Sequence, residues 1–297
     1  MGLTSMLRSL ALRYPGAGAS VLRTYLRRFE HVPERFEWLV QGLKRDLPLP
    51  WEQQVIPLGD GNQLAIDSRS VVGREIFYTG SYEREVVRTL GRELQPGMIF
   101  IDAGANIGEF TVRGSRLVGP GGQVHAFEAS PQTFADLAAN VERNQLRNVT
   151  ANAVALGSTT GTVEFFMSRG IASGSSSMRP AHDFSGTTVQ VPLVSLDQYA
   201  EDHHLPRVDV IKMDIEGAEL EAFRGATRLL ARDDAPVIIF EYHGIVARRF
   251  GVGKEQLLSF LEQFGYRISR LGSSAGAPQQ AADDVPENLL ALPRRRR

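Results

Sequence analysis

The stretch Met98 to Phe110, MIFIDAGANIGEF, constrains the fold more than any other part of the chain. Four apolar residues, Met98 to Ile101, run into Asp102 and then into Gly104, Asn106 and Gly108, after which apolar residues return at helical spacing. The pattern predicts a buried strand turning sharply into a helix, with glycine where a side chain would block a bound ligand. In an open α/β sheet such a turn lies at the carboxyl end of its strand, where folds of this class bind cofactors.

The rest of the chain alternates strands and helices around that turn. A helix closed by Gly119 to Gly122 leads to a second strand, Gln123 to Phe127, ending in Glu128; Ser130 and Pro131 then open a helix by capping free amides. A third strand is expected at Val149 to Leu156, a fourth at Val208 to Met213 and a fifth at Val237 to Phe240. A helix around Glu255 to Phe264 and strands at Tyr266 to Leu271 and Leu289 to Leu292 follow. This order predicts a doubly wound α/β fold with mainly parallel strands. Residues 157–199 break the rhythm with two period-two strands, Thr162 to Met167 and Thr188 to Val194, around the Gly/Ser-rich Gly170 to Ser177. They read as an insertion whose loop is either a substrate lid or a plain hairpin loop.

Upstream of the turn, residues 1–50 read as a helical extension stopped by Leu47 to Pro50, which divides the chain into 1–50 and a main domain of 51–297. Gly59 to Asn62 is hairpin chemistry between Val55 to Leu58 and Leu64 to Asp67. Tyr82, Val86, Val87, Leu90 and Leu94 then share one helical stripe. Between Met1 and Phe29 stand five arginines and no acid, with Leu3, Leu7, Leu10 and Tyr14 at helical spacing. Such a helix suits a face packed on the domain or on a second subunit, and in second place an anionic membrane surface. Arg13, Pro15 and Gly16 interrupt any signal-peptide core, and no apolar run reaches bilayer length. The expected location is therefore cytoplasmic, peripheral to the inner face of the membrane if that helix binds lipid. A net charge of −1 gives no nucleic-acid footprint, and zero cysteines exclude thiolate nucleophiles and Cys-ligated metal.

The cofactor follows from side chains at the strand tips. Asn106 stands where a dinucleotide fingerprint needs its middle glycine, so a pyrophosphate would meet a side chain. A ligand with an amino-acid end and a nucleoside end suits the site better. Asp102 can attract an ammonium, the Gly104 to Gly108 backbone can approach a methionine chain, and Glu128 can accept two ribose hydroxyl protons. That ligand is S-adenosylmethionine.

The segments YEREVVRTLGRELQPGMIFIDAGANIGEFT, VHAFEASPQTFADLAANVERN, ANAVALGSTTGTVEFF, VPLVSLDQY and VDVIKMDIEGAELEAFRGA, with ENLLALP, resemble the FkbM family of S-adenosylmethionine-dependent methyltransferases across most of residues 75–292. The resemblance implies a class I methyltransferase fold, Rossmann-like, with seven strands of which the last is antiparallel. It also implies O-methylation of sugars, glycolipids, polysaccharides or polyketide natural products. It places Gly104, Asn106 and Gly108 in the cofactor turn, Glu128 on the ribose and the chain around Asn152, Ala153 and Val154 on the adenine. Tyr82 and Glu83 would close the pocket. Arg84 stands where many members carry proline.

Methyl transfer to oxygen needs alignment and a base. The candidates are Asp214, Glu216, Glu241 and His243 at the ends of strands four and five, with Asp214 facing cofactor and acceptor and Glu216 or His243 taking the proton. The same residues permit a hard divalent cation such as Mg²⁺ without demanding one. Two alternatives stand beside this reading: a non-catalytic module that binds S-adenosylmethionine, and a nicotinamide (NAD) dehydrogenase. The acceptor and the oligomeric state are open.

Overall fold

The computed structural model describes residues 11, 13–28, 34–49, 51–168, 176–182, 184–271 and 285–294. Most of the loop from Gly170 and the first residues of the basic helix lie outside these. The chain divides into two compact units after Glu83.

In the first unit, helices α1 (Pro15–Arg28) and α2 (Glu34–Asp46) precede an antiparallel hairpin, β1 (Gln53–Pro57) and β2 (Gln63–Asp67), and a helix α3 (Val71–Thr79). The apolar stripe Ala19, Leu22 and Leu26 of α1 is buried. Arg27 donates to the carbonyls of Ile76 and Phe77, and the Arg23 guanidinium lies 4.6 Å from the Phe77 ring centroid. Arg74 of α3 donates to the carbonyls of Lys44, Leu47 and Ser68, and Lys44 pairs with Glu75. These contacts carry the unit past Pro50, where composition alone places the boundary. Helix α3 was not foreseen, because a glycine sits in its first turn. A Cβ at Gly73 would lie 2.1 Å from the Asp67 carbonyl oxygen, so packing demands that glycine.

The second unit opens with α4 (Arg84–Glu93), which buries Val86 and Leu90 and starts after Tyr82, so Tyr82 is exposed rather than on the stripe. There follow β3 (Ile99–Ala103), α5 (Glu109–Val118), β4 (Gln123–Phe127), α6 (Pro131–Arg143) and β5 (Val149–Asn152). The third expected strand is in fact two, since β6 (Ala155–Leu156) leaves the main sheet at Ala153 and Val154. It joins β7 (Gly161–Ser168) and β8 (Gly186–Val194) in a separate three-stranded sheet. Next come α7 (Leu196–Asp202), β9 (Val210–Met213), α8 (Glu219–Arg224), α9 (Thr227–Leu230), β10 (Val237–Tyr242) and α10 (Gly244–Ala247). A 3₁₀ turn (Arg248–Phe250), α11 (Lys254–Gln263), β11 (Tyr266–Arg270) and β12 (Glu287–Pro293) complete the unit.

The main sheet has the order β11-β12-β10-β9-β3-β4-β5, parallel throughout except for β12, which runs antiparallel to both neighbours. This is the seven-stranded, doubly wound arrangement that the resemblance implies. β3, β9 and the Val237 to Phe240 part of β10 are buried at every residue, as sheet strands covered on both faces must be. The carboxyl ends of β3, β4, β9 and β10 therefore present their loops on one side.

Candidate functional site

The Gly104 turn is locked by backbone. The amides of Gly104 and Ala105 both donate to the Phe127 carbonyl at 3.0 and 2.9 Å, and the Asp214 amide donates to the Ala103 carbonyl at 3.1 Å. Gly104 has φ +71°, and a Cβ there would sit 1.7 Å from the Asp214 carbonyl oxygen, so this position accepts glycine alone. Asn106 also takes a left-handed conformation, at φ 51°, and its Oδ1 accepts the Ile107 amide at 2.8 Å. That short-range side-chain bond is why asparagine tolerates the conformation.

Glu128 faces this turn. Its Oε2 accepts the Asn106 amide at 3.0 Å and its Oε1 the Ser130 amide at 2.9 Å, leaving a lone pair on each oxygen for ligand hydroxyls. Burial pushes its carboxyl up to about 7 despite those two bonds. Gly108 is the N-cap of α5, with no side-chain cap, and a Cβ on it would press to 2.7 Å from Leu137 Cδ1.

Asp102 is placed differently from the ammonium-binding role read from the sequence. It is wholly buried, its Oδ2 accepts the Thr111 hydroxyl at 2.6 Å, and the ammonium beside it is the chain's own Lys212, 3.9 Å from Oδ1. Oδ1 has no hydrogen-bond partner, and burial raises the Asp102 pKa against the pull of Lys212. Lys212 is itself only 3% exposed. It donates to the Gly104 carbonyl at 3.0 Å and to Asp214 Oδ2 at 3.3 Å, and it lies 5.2 Å from the Phe110 ring centroid. One ammonium thus ties the Gly104 turn to the tip of β9. Sequence reasoning missed it, although a lysine inside the apolar run VDVIKM is a signal that it must be paired.

Beyond β9, Asp214 and Glu216 are half-buried. Glu216 adopts φ 57°, its carbonyl accepts the Ser177 hydroxyl at 2.9 Å, and a Cβ on Gly217 would come within 2.7 Å of the Val246 carbonyl oxygen. Burial, with Asp214 and Glu219 nearby, pushes the Glu216 carboxyl up to about 8, opposed by Arg249 and Lys212. Glu219 was also missed. It is 4% exposed, and its Oε1 accepts the amides of Ile215 and Gly217 at 3.0 and 3.2 Å, closing the loop from the first turn of α8. Burial holds it up at about 7.

On the other side of the turn, Asn152 ends β5 and its carbonyl accepts the Glu128 amide at 3.1 Å. Its Oδ1 accepts the Tyr199 hydroxyl at 3.2 Å, and Tyr199 in turn meets His125 Nδ1 at 2.8 Å. Burial lowers His125 to about 4, so the pair is neutral at pH 7 and fixes Asn152 without charge. Ala153 is exposed beyond it, and Val154 packs on the core.

Glu241 lies inside β10 rather than after it, and His243 is the N-cap of α10. The His243 carbonyl, not its ring, accepts the Val246 and Ala247 amides. Asp214, Glu216, Glu241 and His243 do not converge as ligands: among the described residues no group of three or more His, Asp or Glu could hold a metal ion. Tyr82 and Glu83 are the last two residues of the first unit. No helix among the described residues is long and apolar enough to cross a membrane.

Residues 102–268, more than half of the chain, match the family model described as the methyltransferase FkbM domain. The hexuronic acid methyltransferase AglP of Haloferax volcanii is 30% identical over 162 residues, 54% of this chain and 62% of that protein. The 31-O-demethyl-FK506 methyltransferase FkbM of Streptomyces tacrolimicus is 45% identical over 73 residues, 25% of this chain and 26% of that protein. The chain thus matches less than two thirds of the length of either relative. Among solved structures, the precorrin-6y C5,15-methyltransferase of Geobacter metallireducens aligns with a TM-score of 0.41 at 19% identity, over 70% of this chain and 87% of that one.

Proposed function

Because the chain belongs to the FkbM methyltransferase family, we propose that it transfers a methyl group from S-adenosylmethionine to a hydroxyl oxygen of a sugar, glycan or natural-product acceptor. The observation that carries this is Glu128, held by the Asn106 and Ser130 amides with two lone pairs left over, beside a turn where only glycine fits. A ribose with two adjacent hydroxyls matches that carboxylate. The backbone from Gly104 to Gly108 would carry the methionine end and the segment Asn152 to Val154 the adenine. When bound, the cofactor supplies an electrophilic sulfonium methyl. The two relatives' names point to a hexuronic acid in one case and the 31-O position of FK506 in the other, which supports an oxygen acceptor.

Catalysis by this chain is then alignment and proton removal. The Lys212 ammonium fixes the β3 and β9 tips relative to each other, which sets where acceptor and cofactor meet. Glu216 is our assignment for the base, since burial places its pKa near working pH, where a general base is most effective. Asp214 faces the acceptor beside it. Glu241 and His243 are the remaining candidates. No step is routed through a divalent cation, because the four candidate ligands do not gather.

Transfer of labelled methyl from S-adenosylmethionine to a panel of sugar and macrolide hydroxyls tests the reading, with titration of S-adenosylmethionine and NAD in parallel. Binding of NAD instead refutes it, and cofactor binding without turnover on any acceptor leaves a binding module. The proposal extends to a peripheral location, tested by whether deleting residues 1–30 changes association with anionic liposomes.

A further inference from the structure

A cavity of about 650 Å³ lies between the inserted sheet, α8 and the 3₁₀ turn after α10. Its volume is that of a small-molecule site. Phe166 on β7, Met178 and Phe250 give it apolar walls. Glu164 and Gln190, which face each other across β7 and β8, supply acceptors and donors for hydroxyl groups. Arg179 stands at its rim with its guanidinium 6.0 Å from the Phe250 ring centroid, and no carboxylate among the described residues pairs with it. The other acid in the wall, Glu221, is already matched by Arg224 and the Ser158 hydroxyl.

This wall is tied to the chemistry. Ser177 pairs with Phe166 through both backbone groups, at 2.9 and 3.1 Å, and its hydroxyl donates to the Glu216 carbonyl at 2.9 Å. Met178 and Arg179 therefore directly follow a residue, Ser177, that is fastened both to the inserted sheet and to the loop that holds the proposed base. The cavity wall is thus linked to that loop through Ser177.

We propose that this cavity is the acceptor's sugar subsite, and that Arg179 makes it selective for a carboxylate-bearing sugar, a uronate. The aromatic and thioether walls suit the C–H face of a pyranose, Glu164 and Gln190 its hydroxyls, and the unpaired planar guanidinium a carboxylate taken by two parallel bonds. The assignment rests on the methyl-transfer reading above and narrows its substrate class.

Direct binding tests it. Methyl glucuronide, methyl glucoside and glucose 6-phosphate are titrated into the full chain, wild type, Arg179→Gln and Arg179→Lys, with S-adenosylhomocysteine titrated in parallel. The wild type is expected to bind the glucuronide roughly ten- to hundred-fold more tightly than the glucoside, as loss of a charge-assisted pair implies. Arg179→Gln should erase that preference and Arg179→Lys keep part of it. Phe250→Ala should weaken both sugars alike. Equal binding of glucuronide and glucoside, a preference that survives Arg179→Gln, tighter binding of the phosphate, or no sugar binding at all overturns the proposal. S-adenosylhomocysteine decides the other question separately: a wild type that binds it while ignoring uronate keeps the methyltransferase reading and loses only this subsite.

Discussion

Replacing Glu128 by glutamine changes one atom's chemistry at the centre of the proposed cofactor site. The carboxylate now accepts two amides, from Asn106 at 3.0 Å and Ser130 at 2.9 Å. Glutamine keeps one oxygen and turns an NH₂ toward the other amide, so a donor faces a donor and the ribose loses an ionised acceptor. A lost charge-assisted bond of this kind costs about 1–3 kcal/mol, or roughly five- to 150-fold in the cofactor's Kd. The pH dependence sharpens the case. Burial lifts Glu128 to about 7, with Asp102 adding to the rise and Lys212 opposing it, so acidification neutralises the group within the neutral range. If ribose binding uses the ionised form, affinity falls below pH 7 by up to about tenfold per unit. The assay is calorimetric titration of 5′-methylthioadenosine, which lacks the amino-acid end and its own ionisations, from pH 5.5 to 8.5. Wild type should weaken on acidification, while Glu128→Gln should be weak and flat. Equal affinities, or the same slope in both proteins, refute the assignment of Glu128 to the ribose.

Glu216→Gln should lower kcat by about 10²- to 10⁴-fold and remove a limb of the pH–rate profile that rises toward pH 8, while leaving S-adenosylhomocysteine affinity near wild type. A variant that keeps the rising limb moves the base to another residue. Lys212→Met leaves Asp102 buried and unpaired, a loss of about 3–5 kcal/mol in denaturant titration, partly recovered in the double variant with Asp102→Asn; no recovery would mean the two are not coupled. Glu219 holds its proton to about 7 in the folded chain against 4.5 for the free group. Stability from this site is therefore full below pH 4.5 and falls by on the order of 3 kcal/mol as pH rises through 7, a slope that Glu219→Gln should flatten.

The strand-to-helix turn at Gly104, the acid after the second strand and the alternation of strands and helices behind a mainly parallel sheet were all legible, because each leaves a local mark: an apolar run, a glycine, a capping serine; the strand order was not. What the sequence hid depends on through-space partners. Lys212 looks like a stray charge until the carbonyl of Gly104 and the carboxylate of Asp214 are seen around it. Glu219 looks like an ordinary first-turn acid until its reach back to Ile215 and Gly217 is measured. Asp102 was recognised as important but aimed at the wrong ammonium. The break at Ala153 and Val154 was invisible, since the residues on either side are equally fit for a strand and only the sheet they join differs. Arg179 falls at the end of the loop expected to tell acceptors apart, but its partners are not legible, since they lie in a cavity assembled from segments far apart in the chain.

β12 comes last among the strands in sequence, yet it lies between β10 and β11, hydrogen-bonded to both and with Glu287, Leu289, Ala291 and Pro293 buried on alternate positions. During synthesis every strand that carries a cofactor-site residue emerges before it. β10 then waits with an open edge and β11 with no neighbour until the segment near residue 290 leaves the ribosome. The sheet is thus completed by insertion into a gap rather than by growth at a margin, so its closure waits until β12 has been made. Chaperone occupancy of nascent chains arrested before residue 287 should be high and should drop once β12 is free. For the same reason, shortening the chain there removes a middle plank, and exposes two pairing edges where one would be expected.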